Sequence, residues 1–118
     1  MEVLNKATFK QKIFNFEDNK EWGFLGSKPA IIDFYADWCG PCRALAPVLE
    51  RVSQKYAGKV DIYKVDTERD PELAGMFGVR GIPALLFIPQ KGSPTMSAGF
   101  MPEEGFEKAI EQIFKIKT

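Results

Sequence analysis

The segment Ala30–Ala36, AIIDFYA, constrains this chain more than any other. It is a nearly continuous run of apolar strand formers, broken by one charge, Asp33. A strand with one wet face would alternate apolar and polar residues. A continuous run reads instead as a central strand covered on both faces. Such a strand needs neighbours in a sheet and helices on each side of it. The 118 residues suffice for one domain, residues 1–118, with a real hydrophobic core.

The flanking sequence supplies those elements. Phe9, Ile13 and Phe16 fall on one face of a short helix. NKEWGFLGSKP reads as a loop, broken by Gly23, Gly26 and Pro29. Leu45, Val48, Leu49 and Val52 repeat with helical spacing, ending near Gly58, and Pro47 is expected to kink that helix. VDIYKV is a second strand. In DPELAGMF, Asp70 is the expected N-cap and Pro71 the first helical residue. ALLFI is a third strand. PTMSAGF suits a short edge strand, because Pro94 fits an edge and Gly99 weakens an interior. A last helix buries Phe106, Ile110, Ile113 and Phe114, with Lys115 and Lys117 at its C-terminal end. Gly105, in its first turn, has no turn signal, so Gly105→Ala is expected to raise stability. The order α, β, α, β, α, β, β, α predicts an α/β fold with a mixed central sheet and helices on both faces.

Composition removes several functions. Sixteen basic and sixteen acidic residues balance to zero net charge. That leaves no basic footprint for a nucleic acid and none for a membrane surface. The longest stretches without a charge are about ten residues, too short for a transmembrane helix. The first thirty residues lack the apolar core of a signal peptide, so a cytoplasmic location is expected by default. A bacterial periplasmic protein given without its leader would read the same way. Histidine is absent, which closes Cys-His and Ser-His-Asp chemistry and imidazole metal ligation. Two cysteines cannot build a four-thiolate zinc site within one chain, and no metal site is expected.

The two cysteines stand together, in DFYADWCGPC, where the central strand turns into a helix. Cys39 then lies at the helix N-terminus, where free N–H groups and the dipole favour thiolate over thiol. Gly40 permits a tight turn, and Pro41 begins a helix without wasting an N–H. Cys42 lies back over the same turn and is expected to be the more buried. The pair can close and open a small disulfide ring. Cys39 would attack a substrate disulfide, and Cys42 would resolve the mixed disulfide. Half of a zinc site shared with another chain is the competing use of such a pair.

FYADWCGPCRALAPVLE, KVD, GVRGIPALLFI, and Gly99 followed by the final amphipathic helix resemble the thioredoxin family. The likeness runs from about Ala30 to the C-terminus, and WCGPC with GIP is highly specific. Residues 1–29 match only loosely. The resemblance implies a thioredoxin fold and thiol–disulfide oxidoreductase activity, with the Cys39–Cys42 disulfide as the redox group and no cofactor. Cys39 resembles the attacking cysteine and Cys42 the resolving one. Asp33 resembles the buried aspartate beneath the motif, and burial would raise its pKa and suit it to take the Cys42 proton. Lys64 resembles the lysine paired with that aspartate. Pro83 resembles the cis-proline facing the disulfide. Trp38, Ile82 and Gly99, with Gly40 and Pro41, resemble the apolar rim that receives substrate. Three residues depart from the family pattern: Tyr35 where a second tryptophan is common, Ala84 where threonine is common, and Phe100 in place of a smaller residue. Trp22 lies in the loosely matching part and is given no role.

Three activities stay open on the sequence. One is a general protein-disulfide reductant. Another is an oxidase or isomerase of the same fold, and the third a non-catalytic accessory subunit. Gly-Pro between the cysteines, with no histidine, stabilises the thiolate little and favours the reductant. Protein disulfides and a recharging reductase are the implied partners, and a monomer is expected.

Overall fold

The computed structural model describes residues 1–117. Among them lie five strands and four helices. In chain order these are β1 Glu2–Val3, α1 Lys6–Lys12, β2 Ala30–Tyr35, α2 Gly40–Lys55 and β3 Asp61–Asp66. There follow α3 Pro71–Met76, β4 Ala84–Ile88, β5 Thr95–Ala98 and α4 Glu103–Phe114. The strands form one sheet in the order β1-β3-β2-β4-β5. β1, β3 and β2 run parallel, while β4 and β5 run antiparallel to their neighbours. This is the mixed sheet with helices on both faces that the apolar run of β2 requires.

β2 lies at the centre of the sheet. Ile32 and Phe34 pack on one face with Phe9, Ile13 and Leu73 from the α1 and α3 side. Ile31 packs on the other with Leu45, Leu49 and Phe106 from α2 and α4. Successive side chains on a strand alternate faces. Asp33 and Tyr35 therefore share the α2 face with Ile31.

Several element ends differ from expectation. β1 is an extra strand of two exposed residues, too short to show any pattern. α1 stops at Lys12, and Phe16 packs from the following loop with its ring 5.9 Å from Phe9. Asn5 caps that helix, and Thr8 returns the bond in a capping box. α2 continues through Pro47 as one element and ends at Lys55, with Gly58 beyond it at φ +81°. Asp70 is the N-cap of α3, but its side chain makes no capping bond. In α4, Phe106 and Ile110 are fully buried, while Ile113 and Phe114 are partly exposed.

Gly105 corrects the stability expectation. It is helical, as expected, and its N–H donates to the Pro102 carbonyl at 2.9 Å. A Cβ there would meet Met101 Cγ at 2.6 Å. Met101 precedes the Pro102 N-cap and packs against the cluster that holds Phe106, the arrangement of a hydrophobic staple. The staple crosses the position that a methyl would fill. Gly105→Ala is therefore expected to give none of the ~0.5–1 kcal/mol that helix propensity alone would supply. Denaturant melts of Gly105→Ala, Met101→Ala and the double variant check this. The double variant should be more stable than the two single effects predict by addition. Simple additivity would show that Met101 does not block the site.

Candidate functional site

The C-terminal end of β2, the N-terminus of α2 and the segment before β4 meet at the cysteines. Ala36, Asp37 and Trp38 carry the chain from β2 to Cys39. Thr67 pins the end of β2, its N–H and hydroxyl donating to the Tyr35 carbonyl at 2.9 and 3.0 Å. Cys39 is the N-cap of α2, with extended backbone. Its Sγ accepts the Cys42 N–H at 3.2 Å, where a serine or aspartate oxygen would sit in an ordinary cap. Pro41 has no N–H to leave unpaired. The helix start thus presents its positive end to one sulfur.

Cys39 and Cys42 form a disulfide, with Cα atoms 5.2 Å apart. As whole residues the two cysteines are buried alike, Cys39 4% exposed and Cys42 5%. Ala36, Tyr35 and Ile82 cover the pair together. The two sulfurs differ in outlook instead. Cys39 Sγ lies 3.8 Å from the Ile82 carbonyl oxygen. Cys42 lines a small open cavity of about 160 Å³ with Tyr35, Asp37, Arg43 and Lys64.

Asp33 is 1% exposed, and neither of its carboxylate oxygens has a hydrogen-bond partner among the described residues. Burial pushes its pKa from the ordinary 3.8 up to about 6, and the charge of Lys64 only partly opposes this. Lys64 stands directly opposite Asp33 in the β2–β3 register. Its ammonium does not complete the pairing that this register offers. Nζ lies over the Tyr35 ring, 4.3 Å from the centroid.

On the other side of the disulfide, the Ile82–Pro83 peptide bond is cis. Gly99, at φ +88°, donates its N–H to the Pro83 carbonyl at 2.8 Å. A side chain at that φ would be strained, so glycine holds the β5 end against the proline segment. Gly40 and Pro41 are exposed beside the disulfide. Trp38 is 68% exposed, and its indole N–H donates to Glu68 at 2.7 Å. Trp38, Pro71, Ala74, Val79 and Ile82 line a groove of about 490 Å³. Phe100 is 50% exposed just past Gly99. The structure brings Ile82 to the disulfide and Lys64 to the cavity that Cys42 lines, while Gly99 is tied to Pro83 and Asp33 lies two residues before Tyr35 on the same strand face.

Two contributors gave no signal in the sequence. Glu68 lies thirty residues from the tryptophan it orients. Tyr35 read only as a departure from a family pattern. Trp22 lies away from the site, with its ring 5.0 Å from Phe14 and 6.1 Å from Phe77. Among the described residues, no three His, Cys, Asp or Glu side chains group to hold a metal ion. No described helix is long and apolar enough to cross a membrane.

The Thioredoxin family model matches residues 1–112. A thioredoxin of Borreliella burgdorferi is 46% identical over 111 residues, covering 94% of this chain and 95% of that protein. Thioredoxin 1 of a Nostoc species is 33% identical over 109 residues, covering 92% of each. The crystal structure of chloroplastic thioredoxin z superposes with a TM-score of 0.80 at 28% identity, covering 96% of this chain and 93% of that one. A sulfur-capped helix start carrying a CxxC disulfide, on a sheet that superposes on a thioredoxin, agrees with relatives that match over nearly the whole chain: it belongs to the thioredoxin family of thiol–disulfide oxidoreductases.

Proposed function

We propose that Cys39 is the nucleophile and Cys42 the resolving cysteine of a general protein-disulfide reductant. One observation carries this division: Cys39 Sγ is the sulfur at the α2 N-cap, accepting the Cys42 N–H. That position favours the thiolate, which is the attacking species. In the reduced protein the Cys39 thiolate attacks one sulfur of a substrate disulfide. The substrate S–S bond breaks, a mixed disulfide forms and the other substrate sulfur leaves as a thiolate. Cys42 gives its proton to the Asp33 carboxylate. The Cys42 thiolate then attacks Cys39, closes the Cys39–Cys42 disulfide and expels the second substrate thiolate. The substrate gains two electrons and the protein loses two. A reductase returns them.

The remaining roles follow from position. Asp33 is the proton acceptor, because burial raises its pKa towards neutrality. Lys64 tempers that shift. The Ile82 carbonyl lies 3.8 Å from the attacking sulfur, Pro83 follows it through the cis bond, and an extended substrate segment can pair with the Ile82 backbone. Trp38, Gly40, Pro41 and Gly99 complete the receiving rim. The whole chain, residues 1–118, acts as a single domain and as a monomer. A reducing compartment, the cytoplasm, suits a chain whose only cysteines are this pair. Reductant is favoured over oxidase because, among the described residues, one N–H reaches the Cys39 sulfur and there is no histidine to add a second donor.

Cys42→Ser leaves attack possible and removes resolution. It should accumulate covalent adducts with disulfide proteins, separable by reducing gels, while Cys39→Ser should accumulate none. Equal trapping by Cys39→Ser would reverse the assignment.

Asp33 links activity to stability. Its pKa is about 6 folded and near 3.8 unfolded. The folded state therefore holds the proton more tightly. Its stabilising effect is full below the unfolded pKa and is lost as pH rises through the folded one. At neutral pH the ionised, buried Asp33 weakens the fold by about 2–3 kcal/mol. Asp33→Ala should raise the stability of the oxidised protein, by about 1 kcal/mol more at pH 8 than at pH 5. The same change should slow disulfide reduction near neutral pH. Denaturant melts and turnover at the two pH values check both effects. A destabilised variant with normal turnover would make Asp33 a structural residue only.

A further inference from the structure

We propose that Tyr35 is a positioning residue whose ring holds the Lys64 ammonium and so keeps it from pairing with Asp33. The register sets up a choice. β2 and β3 run parallel, with Asp33 opposite Lys64 and Tyr35 opposite Asp66. Register partners point to the same face, so the Lys64 stem starts level with a buried carboxylate that has no partner. A lysine in that place would be expected to pair with it. Instead Nζ lies 4.3 Å from the centroid of the Tyr35 ring, within cation–π range.

The surroundings explain why the ring wins. Tyr35 and Lys64 are both half-buried and line the open 160 Å³ cavity, so the ammonium keeps water on its outer side. Joining Asp33 would require stripping that water, because Asp33 is sealed beneath the sheet face. Leu85, opposite Asp33 on β4, is apolar. Cys42, Arg43 and Asp37 line the cavity from α2 and from the turn before it. At the end of β3, Asp66 is engaged by the Glu68 N–H at 2.9 Å and lies 3.8 Å from Arg69. The Tyr35 phenol is raised by burial, then by Asp66 and Asp37, so it stays neutral where Asp33 titrates. Lys64 is thus the one cation on an element directly opposite Asp33, and the ring decides where its charge sits.

The placement of Lys64 stands on geometry. Its consequence for turnover rests on Asp33 being the proton acceptor. Removing the ring frees the ammonium to approach Asp33, and an opposite charge at close range lowers a carboxyl pKa.

The test follows the Asp33 carboxyl by carbon NMR through a pH titration of the oxidised protein. Two ringless variants, Tyr35→Leu and Tyr35→Val, should lower the Asp33 midpoint by about one pH unit. Tyr35→Phe, which keeps the ring, should leave it in place. In a Lys64→Met background the ringless variants should move it by less than half as much. An equal shift with Lys64 absent would mean that the ring only excludes water, and would overturn the proposal. An unmoved midpoint in both ringless variants, or a full shift in Tyr35→Phe, would overturn it too. Reduction rates are measured alongside, and the acid limb of the pH profile should move down with the midpoint. Asp33→Asn should abolish that limb. If the limb persists in Asp33→Asn, the proton-acceptor role fails, while the NMR titration still decides the role of Tyr35.

Discussion

β2 is covered on both faces, and Asp33, Tyr35 and Lys64 take their places from the register of that one strand. Ile32 and Phe34 belong to one core and Ile31 to the other. A slip by one residue would exchange the two sets and drive Asp33 into the core built on Phe9 and Leu73. That penalty locks the strand. The lock puts Asp33, Lys64 and Tyr35 on the α2 face, and it delivers Cys39 to the start of α2. The same burial takes Asp33 out of bulk solvent and raises its pKa. Precise placement and an altered carboxyl come from one cause.

The fold was legible because its strongest signals are local. A continuous apolar run, helical spacing after Cys42 and the Gly-Pro turn each fix an element without reference to the rest. β1 was illegible because two exposed residues carry no period. Gly105 was misread because the obstruction comes from Met101, whose path over the helix start depends on the core it staples. At the site, residue types near the cysteines were readable, but their directions were not. Cys39 and Cys42 are equally buried, and what separates them is which sulfur receives the α2 N–H. Lys64 is opposite Asp33, as a sheet neighbour must be, yet side-chain choice sends its charge to Tyr35. Glu68 reaches Trp38 only because β3 and the β2–α2 turn end side by side.

Asp33 is a local conflict that the rest of the protein tolerates. A buried carboxyl without a hydrogen bond weakens the fold whenever it is ionised. Replacing its neighbours with donors would relieve the cost and also lower its affinity for a proton. The structure does neither: Leu85 stands opposite it on one side, and Lys64 on the other turns away. Sites where sequence rules are broken without local compensation are where function is expected to sit.

The rim around Cys39 is apolar and modest in size. Trp38 and Phe100 are the large exposed rings there, with half-buried Ile82 between the cysteines and the β5 end. Two exposed rings and one half-buried side chain make a small patch, and small interfaces belong to transient complexes. Weak holding suits the chemistry. On the mechanism proposed above, the mixed disulfide would join the two proteins covalently, so the rim would need only to orient the substrate disulfide before attack. Ring closure by Cys42 would then end that bond, and a tighter rim would delay release. The Glu68 bond on Trp38 fits this division, since it fixes the ring's orientation without adding apolar area. Phe100 adds exposed apolar area just past Gly99, so on the proposed mechanism partners offering an apolar residue towards that side are the ones whose orientation it would improve.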